Sequence, residues 1–452
     1  MRDLIILLFI IGSLPVILIR PWIGMLMWYW IGLMNPHRLA WGVARGFPVS
    51  MSVGLVLLTA VIFDRTKKSI PATPVTLLLF VVFAHFTLTS TVAMAGSLAW
   101  DEWFRVFKII LVTFVVPMLI YSRYRITWLM GVTLFSVGFY GIKGGVFAIV
   151  TAGQYRVWGP EGTFLESNTE LAMALMMILP LYFCFTEQLK ADEKMKKWFL
   201  YGAAGLTLLA ILFTYSRGAL IGLAALVGYM LLASNRRFLL AAMAVVLIVA
   251  GIAYAPDRFI ERASTIQTYK EDNSAMQRIQ AWGVAFNIAK ERPLTGGGFR
   301  LAYIDDDIWL SYASFLGEWN NIARAAHSLY FQVLGQHGFL GLFLYMALLL
   351  ATYRTLSKTA RTFKKDSEHY WISSFAKGLR YGMFAFAATG AFLSVAYFDL
   401  AFLFIILSVV LDRERRELDL VQQEQNKVKR RGFVTTQGAP VFTKISTDPQ
   451  SG

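Results

Sequence analysis

The sequence has little cysteine and little charge for its length. Its 452 residues include one cysteine, Cys184, which lies in an apolar run and argues against a disulfide framework or a cysteine metal site. Only 16% of the residues are charged, whereas 57% are hydrophobic and the mean hydropathy is +0.55. A soluble domain does not need so high a fraction of hydrophobic residues with so few charged ones, so the composition indicates a membrane protein.

Long apolar runs recur along most of the chain. Crossing a bilayer as a helix takes about 20 apolar residues, and the runs are too long for barrel strands. They predict an all-α polytopic membrane protein with about twelve transmembrane helices. The first run continues into further apolar sequence without a small-residue cleavage site, which argues against a cleavable signal peptide.

The net charge of +15 is explained by topology rather than by nucleic-acid binding. Lys and Arg cluster in short connectors and in the tail, and such connectors face the cytoplasm. The connectors that alternate with them then face the other side, and the largest of these is residues 255–325. The basic segments are 64–68, 122–125, 190–197, 235–237, 354–365 and the tail from Arg413.

The chain is thereby divided into four parts: N-terminal transmembrane helices (1–254), a large non-cytoplasmic loop (255–325), C-terminal transmembrane helices (326–411) and a cytoplasmic tail (412–452). The polar tail is predicted to be disordered. The predicted helices after the first 63 residues lie near 74–95, 104–121, 126–150, 169–187, 198–215, 218–233, 238–254, 326–353, 376–395 and 396–411.

Two further features refine this division. Residues 1–63 contain three apolar runs, whereas a cytoplasmic N-terminus and a cytoplasmic 64–68 require an even number of crossings, so one run near 22–34 is expected not to cross fully. In the large loop, Ile279, Trp282, Ala285 and Ile288 recur at helical spacing and predict an amphipathic helix.

Arginines on the non-cytoplasmic side have no topological role, which makes them candidates for a functional site. Arg156, Arg217, Arg278 and Arg300 are the candidates. Taken singly, Arg156 fits a solvated loop and Arg217 fits a side chain extended to the interface. Together they predict a bound anion, because a planar guanidinium donates two parallel hydrogen bonds to phosphate. The segment "TGGGF" lacks the Gly-Lys-Ser/Thr of a nucleotide loop and is predicted to form a tight turn.

His327 begins the segment "HSLYFQVLGQHGFLG" at the non-cytoplasmic end of a predicted helix. A histidine can take a proton from a sugar hydroxyl near neutral pH. His337 lies roughly 15 Å deeper along a helix, so the two cannot share one small site. With no His-x-x-x-His pair, and with Asp305–Asp307 interpreted as a solvated turn, no metal site is predicted.

These segments resemble a known superfamily. "HSLYFQVLGQHGFLG" is similar to the His-[Asn/Ser/Gln]-x9-Gly-x-x-[Gly/Thr/Tyr] signature of bacterial O-antigen ligases, and "SRGALIG", "QRIQAW" with "PLTGGGF", and "RVWGPEGTFLESN" look like its other shared blocks. The resemblance implies a glycosyltransferase of the GT-C type in the inner membrane of Gram-negative bacteria, with its active site facing the periplasm. Such ligases act in lipopolysaccharide biosynthesis.

The resemblance also implies substrates and site residues. A glycan would pass from undecaprenyl diphosphate to lipid A-core with inversion, without a metal ion or other cofactor, and membrane lipids would be the only other partner. His327 would be catalytic, and Arg217, Arg278, Arg156 and Arg300 would bind the diphosphate. The candidate substrate contacts beside them are Trp158, Trp282 and Arg324.

Alternatives remain open at this point. The N-terminal part looks more like putative O-glycosylation ligases associated with exosortase systems, which leaves the acceptor undecided. An O-antigen polymerase or a protein O-oligosaccharyltransferase would use the same lipid-linked donor. A transporter of lipid-linked glycans would need charges along a midplane path. Lys143 is the one residue that favours such a path, although it also fits a lysine that reaches the interface.

Overall fold

The computed structural model describes residues 2–40, 42–233 and 273–436, and within these ranges the regular structure is helical. The fold is built from long apolar helices joined by short connectors. In chain order the α-helices are α1 (Arg2–Ile19), α2 (Pro21–Met34), α3 (Val43–Gly46), α4 (Val49–Phe63), α5 (Pro74–Thr91), α6 (Ser97–Leu119), α7 (Ser122–Val150), α8 (Asn168–Gln188), α9 (Lys194–Leu212), α10 (Arg217–Ala233), α11 (Asn273–Glu291), α12 (Asp306–Ser311), α13 (Leu329–Thr359), α14 (Tyr370–Gly390) and α15 (Asp399–Thr436).

Five of these helices, α5, α7, α8, α9 and α13, are long and apolar enough to cross a membrane. Shorter apolar helices cover Asp3–Ile19, Val49–Phe63 and Arg217–Leu232. The chain is therefore a polytopic helical membrane protein. The count of about twelve crossings and the GT-C architecture stay predictions, and the predicted helix at 238–254 lies outside the described residues.

The second apolar run forms a short helix packed inside the bundle. Helix α2 has 14 residues, roughly 21 Å by the helical rise, which is less than the roughly 30 Å hydrocarbon core. It contacts α1, α4 and α7, and it ends at Asn35, whose left-handed φ of 49° allows its N–H to bond the Ile31 carbonyl at 3.0 Å. This length agrees with the expectation that this run does not cross fully.

Contacts between connectors occur at two ends of the bundle, whereas the predicted membrane orientation of these ends stays a prediction. At one end, which we call the basic end, Lys68 pairs with Glu417 at 2.9 Å, and Arg413 donates to the carbonyl oxygens of Pro117 and Ile120. At the opposite end, which we call the site end, the Met94 N–H donates to the Gly297 carbonyl at 2.8 Å. The alternation of connectors along the chain thus becomes a division in space.

Small residues allow the helices to approach closely. A Cβ at Gly145 of α7 would lie 2.2 Å from the Leu206 carbonyl of α9, and one at Gly382 of α14 would lie 2.5 Å from the Met177 carbonyl of α8. In a membrane, where the hydrophobic effect does not drive helix association, such packing is a main source of stability.

The tail differs from its prediction. Helix α15 continues through Thr436, whereas residues 412–452 were predicted to be disordered, and this is wrong for residues 412–436. The physical reason is local: Arg415 bonds Asp412 at 2.7 Å and Asp419 at 2.6 Å, which are pairs one helical turn apart. The absence of apolar periodicity therefore did not indicate the absence of a helix.

Candidate active site

A break in helix α13 forms the framework of the site end. Gly338 has φ 70° and ψ −174°, a conformation essentially limited to glycine. The carbonyls of Gly335 and Gln336 accept 2.8 Å hydrogen bonds from the N–H groups of Gly297 and Gly298. The "TGGGF" turn is therefore docked onto the broken helix, which explains why both glycine segments occur in one chain.

The other backbone groups at the break are also bonded. The Leu340 N–H donates to the Pro293 carbonyl at 3.3 Å, and His85 Nε2 lies 3.1 Å from the His337 carbonyl oxygen. A Cβ at Gly341 would lie 3.3 Å from His85 Nε2. Irregular backbone at membrane depth is tolerated only where protein groups bond it, and here they do.

His327 lies just before α13, at the site end. Its backbone has a left-handed φ of 46°, and its N–H donates to the Ser394 hydroxyl at 2.9 Å. The side chain is exposed, although neighbouring protein removes part of its hydration. This desolvation, followed by the positive charges of Arg278 and Arg324, lowers the pKa of the His327 imidazole below its ordinary value of 6.5. The ring is therefore neutral at pH 7 and able to accept a proton.

The predicted amphipathic helix is confirmed as α11, with a shifted buried face. Ala285 and Ile288 are buried as predicted, whereas Ile279 is 37% exposed. Trp282 stacks on Phe331 with centroids 5.0 Å apart, and its indole N–H donates to the Ala326 carbonyl at 2.7 Å. Trp282 thus holds the segment that leads into His327.

An arginine pair around one carboxylate lies beside this segment. Glu102, on the first turns of α6, is 6% exposed and pairs with Arg105, one turn later, and with Arg300 at 3.0 Å. Arg300 follows the glycine turn in a left-handed conformation (φ 61°) and lies over the Tyr303 ring at 4.9 Å. Two guanidinium groups and one carboxylate leave a surplus of positive charge.

Two adjoining cavities open at this end. The smaller, about 260 Å³, is lined by Glu102, Arg105, Arg300 and Arg324, and we call it the arginine cavity. The larger, about 820 Å³, is lined mainly by the α7–α8 connector, and we call it the connector cavity. Four residues line both: Arg105, Gln332, Ser394 and Tyr397. Ser394 also accepts a hydrogen bond from the His327 backbone N–H, and His327 follows Ala326 of the arginine cavity, although the histidine itself lines neither cavity.

His337 forms a buried support beneath the junction. Its Nδ1 lies 2.6 Å from the Thr89 hydroxyl and its Nε2 lies 2.7 Å from the Tyr397 hydroxyl, which donates to Gln336 at 2.5 Å. The ring also stacks on Phe86 at 3.9 Å. His337 is fully buried and faces neither cavity, in agreement with the prediction that the two histidines form separate sites.

The remaining predicted residues lie around the junction. Arg156 lies over the Trp158 ring at 5.5 Å, and Trp158 lines the connector cavity. Arg217 begins α10, is exposed and lines neither cavity. The adjacent Ser216 hydroxyl lies 2.8 Å from that of Thr169 on α8, the helix whose first turn lines the connector cavity. The structure thus places Arg278 and Arg324 near enough to act on His327 through their charges, and Arg300 in the arginine cavity, whereas Arg156 and Arg217 line neither cavity.

The acidic run at residues 305–307 has a structural role. The Asp305 carboxylate caps α12 by accepting from the Asp307 and Ile308 N–H groups, and the Asp306 carboxylate accepts from the Ala323 N–H at 2.7 Å. Within residues 2–40, 42–233 and 273–436, no group of three or more His, Cys, Asp or Glu side chains is arranged to hold a metal ion.

Sequence reasoning missed Glu102 and Arg105. The predicted helix began at 104, whereas α6 begins at Ser97, so the pair was divided between a connector and a helix start. The available signal was the spacing of three residues between an acid and a base in an apolar context, which places them on one helix face. Arg300 was predicted as a site residue, but its pairing with Glu102 left no local signal because the two residues are distant in sequence.

The described helices form a membrane protein with arginines, a histidine and two adjoining cavities at one end. Residues 202–346 match the family model described as O-Antigen ligase, and residues 1–190 match a family of unknown function. No curated protein matches the chain. Residues 202–346 are therefore similar to the O-antigen ligase family, and this match supports the resemblance that the motifs predicted.

Proposed function

We propose that the protein is an O-antigen ligase that transfers a glycan from undecaprenyl diphosphate to a sugar hydroxyl of lipid A-core. The observation that carries this proposal is the placement of His327 beside the arginine cavity, within the region that matches the ligase family. A base and a diphosphate site must adjoin each other for a glycosyl group to pass directly from a lipid diphosphate to a hydroxyl.

His327 is the proposed base. Its lowered pKa keeps the imidazole neutral at pH 7, so one ring nitrogen can accept the proton of the acceptor hydroxyl. The hydroxyl oxygen then forms a bond to the anomeric carbon while the bond from that carbon to the diphosphate oxygen breaks. Attack from the face opposite the diphosphate inverts the configuration, and His327 later releases its proton to water.

The arginines are the proposed anion site. The departing lipid diphosphate takes the electron pair of the broken bond, and its charge is stabilised by prepositioned guanidinium groups without a requirement for a metal ion. Arg105, Arg300 and Arg324 line the cavity, and Arg278 contributes its charge beside His327. Arg156 and Arg217 are proposed to hold more distant parts of the donor.

The proposed setting is the inner membrane of a Gram-negative bacterium, with the site end facing the periplasm. The collection of Lys and Arg connectors at the basic end supports this orientation, because such connectors stay in the cytoplasm. The site end would then lie at the surface where a lipid-linked glycan and lipid A-core are both present.

Two related activities would use the same donor site. An O-antigen polymerase or a protein O-oligosaccharyltransferase would differ only in the group that supplies the attacking hydroxyl. A transporter is favoured less, because Lys143 is exposed on α7 and does not line either cavity, and because the arginines gather at one end.

The test is glycan transfer by the purified full chain with an undecaprenyl diphosphate-linked glycan and lipid A-core, in the presence of EDTA. Wild type is expected to be active, and His327→Ala is expected to lose about 10²–10⁴-fold, the usual contribution of a general base. His369→Ala is the matched control, because His369 lies at the basic end, where its ring contacts Phe363, and not beside the arginine cavity.

The outcomes separate the alternatives. Extension of the donor glycan, or transfer to an added pilin-like polypeptide with none to lipid A-core, would replace the ligase with a polymerase or a protein oligosaccharyltransferase. Full activity of His327→Ala would overturn the mechanism, and loss of activity in EDTA that added metal restores would overturn its metal independence.

A further inference from the structure

The two cavities are built by different parts of the chain. The arginine cavity is formed mainly by α11, the segment from Arg300 to Ala326 and the first turns of α13, all within the region that matches the O-antigen ligase family. The connector cavity is walled mainly by residues 158–170 and Arg105, which lie within the region that matches a family of unknown function, and it is completed by Gln332 and residues 394–398 outside that region. The Glu102–Arg300 ion pair joins the two regions at 3.0 Å.

We propose that residues 1–190 supply the acceptor-binding wall of the transferase, and that the connector cavity takes the uncharged, hydroxyl-bearing end of a glycan in preference to a phosphorylated one. This inference rests on the proposed function, since it assigns the second substrate of the same site. It gives a role to the N-terminal region, for which the family match provides none.

The sizes of the cavities assign the substrates. Pockets of about 300–1,000 Å³ enclose most of a drug-sized ligand. The connector cavity, about 820 Å³, lies within that range and can hold the end of an oligosaccharide. The arginine cavity, about 260 Å³, is too small for a glycan but suits a charged group such as a diphosphate.

The geometry of displacement decides between donor and acceptor glycan. A diphosphate in the arginine cavity places the anomeric carbon near the junction formed by Arg105, Gln332, Ser394 and Tyr397. Inversion requires the hydroxyl to approach from the side opposite the diphosphate. That side is the connector cavity, and His327 is attached to the junction through Ser394.

The lining of the connector cavity suits a sugar. Trp158 is 57% exposed although the Arg156 guanidinium lies over its ring at 5.5 Å, so the part of the ring outside that contact can stack against the apolar face of a pyranose. Phe164 lies beneath Arg105, whose guanidinium is 4.6 Å from the ring centroid. Hydroxyl and amide groups of Thr163, Ser167 and Gln332 complete a surface with many hydrogen-bonding groups.

The charges of the lining favour an uncharged sugar. Glu161, Glu166 and Glu170 line the cavity with one arginine, Arg105, which is already paired with Glu102. Arg156 and Arg38 also lie near the connector but do not line the cavity. Oε2 of Glu170 is buried and has no hydrogen-bond partner among the described residues, so it can accept from a sugar hydroxyl. Carboxylates accept hydrogen bonds from hydroxyl or amine groups but repel a phosphate.

The test is saturation-transfer NMR on the full chain in nanodiscs, with N-acetylglucosamine, glucosamine and glucosamine 6-phosphate as probes. Inorganic pyrophosphate is added to occupy the arginine cavity, so that phosphorylated sugar bound there does not contribute. We expect both uncharged N-acetylglucosamine and cationic glucosamine to bind more tightly than glucosamine 6-phosphate. Equal or tighter binding of the phosphorylated sugar would overturn the inference.

Variants locate the binding. Trp158→Ala is expected to weaken binding of N-acetylglucosamine about two- to tenfold, the value of an aromatic contact. Trp198→Ala, a 75% exposed tryptophan at the start of α9, is the matched control and is expected to leave binding unchanged. Glu161→Gln is expected to improve the relative binding of glucosamine 6-phosphate. Unchanged binding in Trp158→Ala would overturn the assignment of the cavity.

A transfer assay distinguishes failure of this inference from failure of the proposed function. Suppose that wild type transfers glycan but Trp158→Ala changes the KM for the donor and not for the acceptor. The assignment of the connector cavity to the acceptor is then wrong, whereas the proposed transferase activity is supported. If wild type transfers glycan to no acceptor yet sugar binding depends on Trp158, the sugar site stands and the proposed transferase is wrong.

Discussion

Arginines at the two ends of the helical bundle are neutralised to different extents. At the basic end, Arg415 and Arg416 bond two carboxylates, Asp412 and Asp419, and the Arg415 side chain is only 7% exposed. At the site end, two arginines share the single carboxylate of Glu102. The side chains of Arg105 and Arg300 are 41% and 35% exposed to solvent.

The difference indicates that the role of an arginine depends on which groups it is paired with, and cannot be assigned from the presence of an arginine alone. A guanidinium whose donors are used by carboxylates of its own helix stabilises that helix. A guanidinium that shares a carboxylate and stays open to a cavity retains donors for a ligand anion. Each prediction below changes one side of this comparison.

The largest effect is expected from removing the under-neutralised arginines. Arg300→Ala or Arg105→Ala should lower transfer about 10²–10³-fold, as does loss of a preorganised donor from a charge-stabilising site. Arg415→Ala is the matched control, because it removes an arginine of the basic end and should leave transfer per folded molecule unchanged. The measurement is initial transfer rate, normalised to folded protein by size-exclusion chromatography.

The result that would contradict this comparison is also specific. If Arg415→Ala lowers transfer as much as Arg300→Ala in protein that stays folded, the surplus charge at the site end is not what binds the donor. The arginines of both ends would then act only through the stability of the bundle.

A smaller effect is expected from the shared carboxylate. Glu102→Gln leaves the two guanidinium groups in place but removes the group that orients them, so kcat should fall about tenfold. The KM for the donor should not rise, because the extra positive charge attracts the diphosphate. A raised KM with unchanged kcat would show that Glu102 serves the binding of the donor rather than its orientation.

A smaller loss still is expected at Arg217. Because Arg217 lines neither cavity, Arg217→Lys should lower transfer about tenfold, the value of one charged hydrogen bond. The same substitution at Arg300 should cost more, since lysine cannot reproduce a guanidinium that pairs with Glu102 and faces the diphosphate site. Transfer assays on the two variants in parallel decide this, and an equal or greater loss at Arg217 would bring it into the donor site.

Much of the fold could be predicted from the sequence because apolar runs and basic connectors are local signals. Such runs predict the helices from α5 to α10 and the amphipathic helix α11. They also predict that His327 lies just before the start of a helix. The continuation of α15 to Thr436 was missed, because its stability comes from charged pairs rather than from apolar periodicity.

The site was predicted in part, for a related reason. His327, Arg278 and Arg324 lie close in sequence to one another or to the ligase motif. In the structure, desolvation and then the charges of the two arginines lower the pKa of His327. Glu102 and Arg105 join the site through the ion pair of Glu102 with Arg300, nearly 200 residues away along the chain. Tyr397, which lines both cavities, is placed there by its bond to His337. Long-range pairs of this kind leave no trace in spacing or composition.

The smallest expected effect is a shift in the pH dependence of transfer. The pKa of His327 is lowered from 6.5 by desolvation and by the charges of Arg278 and Arg324, so the neutral base predominates at pH 7. Activity should fall only as the pH drops through that lowered pKa, because protonation removes the acceptor lone pair. Arg324→Gln removes one of the two charges and should move the acidic limb of kcat/KM to higher pH, towards 6.5.

Lys290→Gln on α11, whose side chain lines neither cavity, is the control and should leave the limb unchanged. An acidic limb that stays in place in Arg324→Gln would mean that the titrating base is not His327, or that Arg324 does not act on it through its charge.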